Sequence, residues 1–402
     1  LAPDSVVLAS AGRKLSTAGV SHWRFNFNEP DQYVALLQML EERGGAPDHV
    51  VLIPQQGRAS NDRLLARNFL HPTYLAQALG GLSGRVQFTI VTSGLSGIDG
   101  QSVDPQRAMA LGPVLVAPRE IDHLHARCID LPFGSLAGER SRRVRERLVR
   151  ELRAETDDQL VALRAGGRWV RKISEMQLAQ LAEDADAHSW VREDGVYFIT
   201  GGLGGIGLEV AGLLARSKRV KLALLAREDL PEEAHWDDIL ARSAASRAAQ
   251  RIARVRALRL LGAQVMVVAG DITDANSLGA ALNKVRAAYG SLNGVIHAAG
   301  IMDDAPLMAK DAAAMTRVLA PKVAGTLALD ALVREPLDTF VLFSSVASFL
   351  GLPGQVDYTA ANAFLDAFAR SRAERAPGRT VVINWNAWQD IGMAASAHRA
   401  QV

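Results

Sequence analysis

Three residues with reactive side chains lie close together in the C-terminal half of this 402-residue chain. Ser345 follows the apolar run Phe340-Val-Leu-Phe343, Tyr358 comes thirteen residues later, and Asn362 four residues after that. On a helix, Tyr358 and Asn362 stand one turn apart and project from one face toward the strand end that carries Ser345. Such a group suits reduction of a carbonyl by hydride, which needs a proton delivered to the developing alkoxide. Tyrosine can deliver it if its pKa falls from about 10 toward neutrality. A fall of two to three units corresponds to roughly 3 to 4 kcal/mol, about what one ammonium 4 to 5 Å away supplies at an effective dielectric near 20. A nearby lysine is therefore expected, and Lys322, in Ala320-Pro321-Lys322-Val323-Ala324-Gly325, is the candidate. Each residue alone has a plainer role: Ser345 as a helix cap, Tyr358 as an interface aromatic, Lys322 as surface charge.

A hydride donor needs its own site. Thr200-Gly201-Gly202-Leu203-Gly204-Gly205-Ile206-Gly207 follows an apolar strand and opens an apolar helix, Leu208 to Ala215. Glycine suits a sharp turn whose backbone must approach a pyrophosphate at the positive end of a helix. The glycine spacing alone is a weak signal, and the strand, turn and helix around it make it a dinucleotide site. About twenty residues on, where an acid would hold the ribose hydroxyls of NAD, the second strand ends in Ala226-Arg227. An arginine there can neutralise a 2′-phosphate, which points to NADPH; it could also simply face solvent. Asp271, in Gly270-Asp271-Ile272-Thr273-Asp274, could accept a hydrogen bond from adenine, cap the following helix, or do both.

These groups need a scaffold. From Gly195 strands alternate with helices: strands are expected at Val196 to Thr200, Lys221 to Ala226, Gln264 to Val268, Gly294 to His297, Thr339 to Phe343 and Thr380 to Asn384. That alternation predicts a parallel, doubly wound α/β sheet with chemistry at the carboxyl ends of its strands. Residues 1 to about 185 show a second α/β alternation without a phosphate loop, with strands at Val50 to Ile53 and Phe88 to Val91, a helix from Asp31 to Glu42 and a hairpin around Gly166-Gly167. The expected division is 1–185 and 190–402, with the polar run Glu183 to His188 as linker. The segment from Glu228 to Arg256 is long for one crossover and reads as an inserted surface helix with no assignable chemistry.

Composition narrows the classes. The formal charge is +2, and the basic run Arg140 to Arg153 is interleaved with Glu146 and Glu151 at helical spacing, so it reads as a solvated helix face and not a nucleic-acid site. One cysteine, Cys128, excludes an intramolecular disulfide and a Cys-cluster metal site. No stretch approaches the roughly 18 to 20 apolar residues that span a bilayer, and no signal peptide opens the chain, so a soluble cytoplasmic protein is expected.

The motifs T-G-G-L-G-G-I-G, H-A-A-G, P-K-V-A-G-T, F-S-S-V-A-S, Y-T-A-A-N-A-F-L-D and N-W-N-A-W-Q-D-I-G-M together resemble the ketoreductase domain of modular polyketide synthases, a branch of the short-chain dehydrogenases. In the wider superfamily the lysine stands four residues after the tyrosine and an asparagine lies on the earlier helix; here Asn362 and Lys322 are exchanged, as in the synthase branch. The resemblance implies two Rossmann-like subdomains, an N-terminal truncated structural one and a C-terminal doubly wound NADPH-binding catalytic one. It implies Tyr358 as proton donor, Ser345 as holder of the substrate carbonyl, and Lys322 and Asn362 as the rest of a tetrad. Gly201, Gly205 and Gly207 would form the phosphate loop, Arg227 would meet the 2′-phosphate, and His297-Ala298-Ala299-Gly300 would line the nicotinamide ribose. The implied substrate is a β-ketoacyl thioester on the phosphopantetheine arm of an acyl carrier protein, with neighbouring synthase domains as further partners. Met302-Asp303-Asp304 is similar to the Leu-Asp-Asp fingerprint of B-type domains, which give the D-hydroxyl, and Leu350 stands where A-type domains carry tryptophan. The two aspartates could instead merely start a helix. A non-reducing, NADPH-binding scaffold domain is the alternative reading of the whole.

Overall fold

The computed structural model describes residues 6–19, 21–55, 57, 59–98, 100–135, 141–175, 190–389 and 391–393. The expected linker Glu183 to His188, Arg140 and residues 394–402 lie outside these. Contacts group the chain into two compact units, and each draws on separated segments. The first comprises Leu1–Ile173, Asp303–Met315 and Ala347–Ala367; the second comprises Ser174–Met302, Thr316–Val346 and Phe368–Val402.

In the first unit, β1 (Leu8–Ala11), β2 (Ser16–Gly19) and β3 (His22–Phe25) form a small sheet, and a helix over Pro30–Gly44 follows. A second sheet runs β4 (His49–Leu52), β5 (Val86–Ser93), β6 (Leu124–Leu131), β7 (Leu160–Arg164), β8 (Gly167–Val170), in that spatial order. Its first four strands are parallel, and β7 and β8 make the antiparallel hairpin expected around Gly166-Gly167. The turn after β5 is held by protein groups: the Asp130 carboxylate accepts from the Leu95 and Ser96 N–H at 3.0 and 2.8 Å and pairs with buried Arg164 at 2.6 Å. The basic run forms a helix over Ser141–Leu152, with an exposed Arg142–Glu146 pair one turn apart and Leu148 buried.

In the second unit, β9 (Val196–Thr200), β10 (Lys221–Ala226), β11 (Gln264–Ala269), β12 (Gly294–His297), β13 (Thr339–Ser345) and β14 (Arg379–Trp385) form one parallel sheet. The spatial order is β11-β10-β9-β12-β13-β14. The chain therefore reverses direction across the sheet between β9 and β12, and the crevice at their carboxyl ends is where such sheets take ligands. Strands covered on both faces need near-continuous apolar sequence, and β9 and β10 supply it: Tyr197, Ile199, Leu222 and Leu224 are fully buried. The helix Gly205–Ser217 lays Leu208, Ala211, Leu214 and Ala215 against this core at helical spacing.

Two expectations are corrected here. Residues 228–256 are not one inserted surface helix. A short helix spans Trp236–Arg242 and a second spans Arg247–Leu260, which buries Ala249, Ile252, Val255 and Leu258 and is the crossover between β10 and β11. The helix after β11 is capped by Asp274, whose carboxylate accepts from the Asn276 N–H at 2.9 Å; Asp271 instead closes a turn onto the Thr273 N–H and hydroxyl, both at 2.8 Å.

Candidate active site

At the carboxyl ends of β9, β10, β11 and β12 the second unit carries an open cavity of about 400 Å³. Its floor is the glycine-rich turn: Gly201 and Leu203 to Gly207 line it, with Ala298 and Ala299 packed against Gly201 and Gly300 following them. Gly201 has φ +64, a left-handed conformation that disfavours any side chain, and a methyl there would lie 3.0 Å from the Ala298 carbonyl oxygen. At Gly207 a methyl would stand 2.5 Å from the Gly201 carbonyl oxygen, so the helix can begin this close to the strand only without one. Gly204 is the extended N-cap residue of the helix Gly205–Ser217, which leaves the first-turn N–H groups beside the cavity.

Thr200, Gly202 and His297 support this floor. The His297 ring is buried, with Nε2 3.1 Å from the Pro321 carbonyl oxygen and Nδ1 2.6 Å from the Thr200 hydroxyl. A carbonyl only accepts, so Nε2 carries the proton and the Thr200 hydroxyl donates to Nδ1. Thr200 Oγ1 in turn accepts from the Ala299 N–H at 3.2 Å. Burial pushes the His297 pKa down to about 3, and the Lys322 ammonium acts in the same direction. The imidazole is thus a neutral strut between β9, β12 and the turn that carries Lys322.

One end of the cavity is cationic. Arg227 borders it as expected, and Arg247 and Arg251, from the first turns of the crossover helix, border it too. Arg251 is half-buried and its pKa is lowered, first by burial and then by the charges of Arg247 and Arg227, against which Glu228 acts. Guanidinium groups crowded this way favour an anion among them. The sequence reading missed Arg247 and Arg251, although their i, i+4 spacing on an apolar-striped helix was available as a signal. Asp271 and buried Ile272 line the same wall. Ile301, Arg317, Pro321, Gly392 and Met393, also unforeseen, belong to the lining as well.

Glycines that leave no room for a methyl, first-turn amides and a cluster of arginines fit a phosphorylated dinucleotide. The residues expected to act on its substrate fall into two pairs. Lys322 is buried, which removes the surface-charge reading, and its ammonium donates to the Phe343 carbonyl at 2.6 Å, two residues before Ser345 on β13. A methyl at Gly300 would lie 3.1 Å from Lys322 Cε, so the lysine also flanks the end of β12. Asn384, on β14, holds the Ser345 carbonyl at 3.3 Å. Tyr358 and Asn362 belong to the first unit. They share one face of the helix Val356–Ala373, where Asn362 Nδ2 donates to the Tyr358 carbonyl at 2.7 Å. Asp303 and Asp304 are exposed and start no helix; the next α-helix begins at Ala312 and its first turn is held by Asp311.

Sheet order, glycine turn and cavity define a dinucleotide-binding α/β protein. Residues 195–390 match the family model described as KR domain. Among solved structures, the chain is similar to "Structure of A-type Ketoreductases from Modular Polyketide Synthase", with TM-score 0.77, 28% identity and coverage of 94% of this chain and 76% of that one. It is likewise similar to "The first ketoreductase of the tylosin PKS", with TM-score 0.73, 27% identity and coverage of 97% and 81%. A 6-methylsalicylic acid synthase of Aspergillus terreus is 41% identical over 209 residues, which is 51% of this chain and 11% of that protein. Polyketide synthase PksL of Bacillus subtilis is 32% identical over 306 residues, 74% of this chain and 6% of that protein. Residues 195–390 belong to the KR family of the polyketide synthases, oxidoreductases of the short-chain dehydrogenase type that use a nicotinamide cofactor. The chain spans only a small part of the length of these two synthases.

Proposed function

We propose that this chain is an NADPH-dependent ketoreductase. It reduces the β-keto group of a β-ketoacyl thioester carried by an acyl carrier protein and gives the β-hydroxyacyl thioester with the D (B-type) hydroxyl. The observation that carries the reading is the glycine-floored cavity lined by Arg227, Arg247 and Arg251, with buried Lys322 against its lining residue Gly300.

Bound NADPH supplies the hydride. Gly201 to Gly207 would hold its pyrophosphate by backbone amides, and Arg227, Arg247 and Arg251 would take the 2′-phosphate, a group NADH lacks. The Ser345 hydroxyl donates a hydrogen bond to the substrate carbonyl oxygen and fixes its orientation. As the carbonyl oxygen gains charge, the Tyr358 phenol gives it a proton and becomes a phenolate, which the Lys322 ammonium stabilises; solvent then reprotonates the phenolate. Asn362 holds the Tyr358 backbone at the turn where the phenol must point. The solved relatives include A-type and C2-type domains, so the stereochemical reading rests on this chain's own Asp303, Asp304 and Leu350.

The test is consumption of NADPH with a β-ketoacyl thioester surrogate by the parent and by Tyr358→Phe. The parent should turn over, and the variant should bind NADPH normally while reduction falls by about 100-fold or more. NADPH binding without any consumption by the parent would favour the scaffold reading; full turnover by the variant would remove the phenol from the mechanism.

A further inference from the structure

The loop that carries Asp303 and Asp304 is fastened by groups far from it in sequence, all within the first compact unit. Lys310 is buried, and its ammonium bonds both the Asp303 carbonyl and the Asp357 carboxylate, the latter at 2.5 Å. Both side chains of this ion pair are 1% exposed. The other Asp357 oxygen accepts from the Tyr358 N–H at 2.8 Å. One ammonium thus ties the backbone of the first aspartate to the first turn of the helix that bears Tyr358.

Further bonds close the same junction. Gln355 Nε2 donates to the Asp304 carboxylate at 2.8 Å, and the Ala305 N–H donates to the Gly354 carbonyl at 3.1 Å. Glu120, at the end of the helix Leu111–Glu120, receives the Leu307 N–H at 2.5 Å and the Gly354 N–H at 2.7 Å on its two oxygens. A single carboxylate therefore holds the aspartate loop and the approach to the Tyr358 helix together. Gln77 fixes the far end of the loop by donating to the Leu307 and Lys310 carbonyls, each at 2.8 Å.

Burying a lysine and an aspartate is expensive, and an apolar pair of similar volume is often at least as stable. What an apolar pair cannot do is take hold of a particular carbonyl and a particular N–H. Burial pushes the Asp357 carboxyl up, against the Lys310 ammonium that holds it down, so the pair exists under strain of solvation. Its bonds go to the two backbone segments that the proposed function gives to stereocontrol and to proton delivery.

We propose that Lys310 and Asp357, together with Glu120, are positioning residues that keep Asp303-Asp304 in register with Tyr358 and thereby select the face of the carbonyl that is reduced. This rests on the reading of Tyr358 as proton donor and of the two aspartates as stereocontrolling.

The test is chiral analysis of the alcohol made by Lys310→Met, by the charge-free pair Lys310→Met/Asp357→Leu, and by Glu120→Gln, with thermal melting and NADPH affinity measured beside it. Misplacement by about 1 Å can cost about 100-fold in rate, so the ratio of major to minor alcohol should fall by roughly tenfold or more in both Lys310 variants. It should fall by a smaller factor, about threefold, in Glu120→Gln. The charge-free pair should recover melting temperature without recovering the ratio. NADPH affinity, set by residues of the other unit, should hold within about twofold. A ratio unchanged despite lowered melting would reduce the pair to a purely structural role and overturn the proposal. If the Lys310 variants do not fold, Glu120→Gln decides alone, with an unchanged ratio overturning it. The readout is the ratio whichever hand the parent makes, and Tyr358→Phe is assayed in parallel, so failure of the underlying reading is seen separately.

Discussion

Replacement of Arg251 by alanine should cost NADPH affinity while leaving NADH affinity nearly untouched. Arg251 is the half-buried member of the three arginines at the cavity's end, and its pKa is lowered by burial and by Arg247 and Arg227. In the absence of an anion that crowding is unfavourable; a 2′-phosphate bound there would relieve it and gain a charge-assisted hydrogen bond. Such a bond contributes about 1.5 to 3 kcal/mol net, which at about 1.4 kcal/mol per factor of ten is a roughly 12- to 150-fold rise in the NADPH Kd. NADH carries no phosphate there, and removal of one cation lessens repulsion among the rest, so its Kd should move by less than about threefold. Arg227 is exposed and better screened by solvent, so Arg227→Ala should do less than Arg251→Ala. Titration of both cofactors into parent and variants, by quenching of protein fluorescence or by calorimetry, reads the difference directly. Equal weakening of NADPH and NADH, or no change in either, would refute the assignment of the cationic end to the 2′-phosphate.

Other consequences are as direct. Gly207→Ala places a methyl 2.5 Å from the Gly201 carbonyl oxygen, so cofactor binding should be lost with about 1 to 3 kcal/mol of stability, read by cofactor titration and denaturant melts. The unfolded His297 binds a proton below its ordinary 6.5 while the buried ring stays neutral down to about 3. Its contribution to stability is therefore present above pH 6.5 and is lost as pH falls through that window, at about 1.4 kcal/mol per pH unit. His297→Asn should show a shallower loss over the same range, and parallel curves would contradict the neutral-strut account. Chiral chromatography of the parent's product should show the D-hydroxyl; the L-alcohol would overturn the B-type reading.

Much of the second unit was legible because its signals are local. The glycine turn, the strand before it and Arg227 at the end of the next strand are contiguous patterns, and β9, β10 and β12 fall at their expected bounds. Lys322 was chosen on an energetic argument about a phenol; what the structure adds is its burial and its bond to the Phe343 carbonyl on β13. The crossover helix was not legible in the same way: its length hid two helices, and whether Arg247 and Arg251 face solvent or a cavity depends on the packing of Ile252 and Val255 beneath them. Lys310 and Asp357 are 47 residues apart, and neither has a local pattern that reveals an ion pair. The return of Asp303–Met315 and Ala347–Ala367 to the first compact unit is a property of tertiary contacts that a linear division at residues 185–190 has no means to express.

Reduction itself is tested most directly by isotope transfer. With NADPH deuterated at the reactive nicotinamide carbon and a β-ketoacyl thioester surrogate, mass spectrometry of the product should find a single deuterium on the β-carbon, and none with Tyr358→Phe over the same interval. Tight binding of the labelled cofactor by the parent with no deuterium in the thioester would contradict the account at its centre.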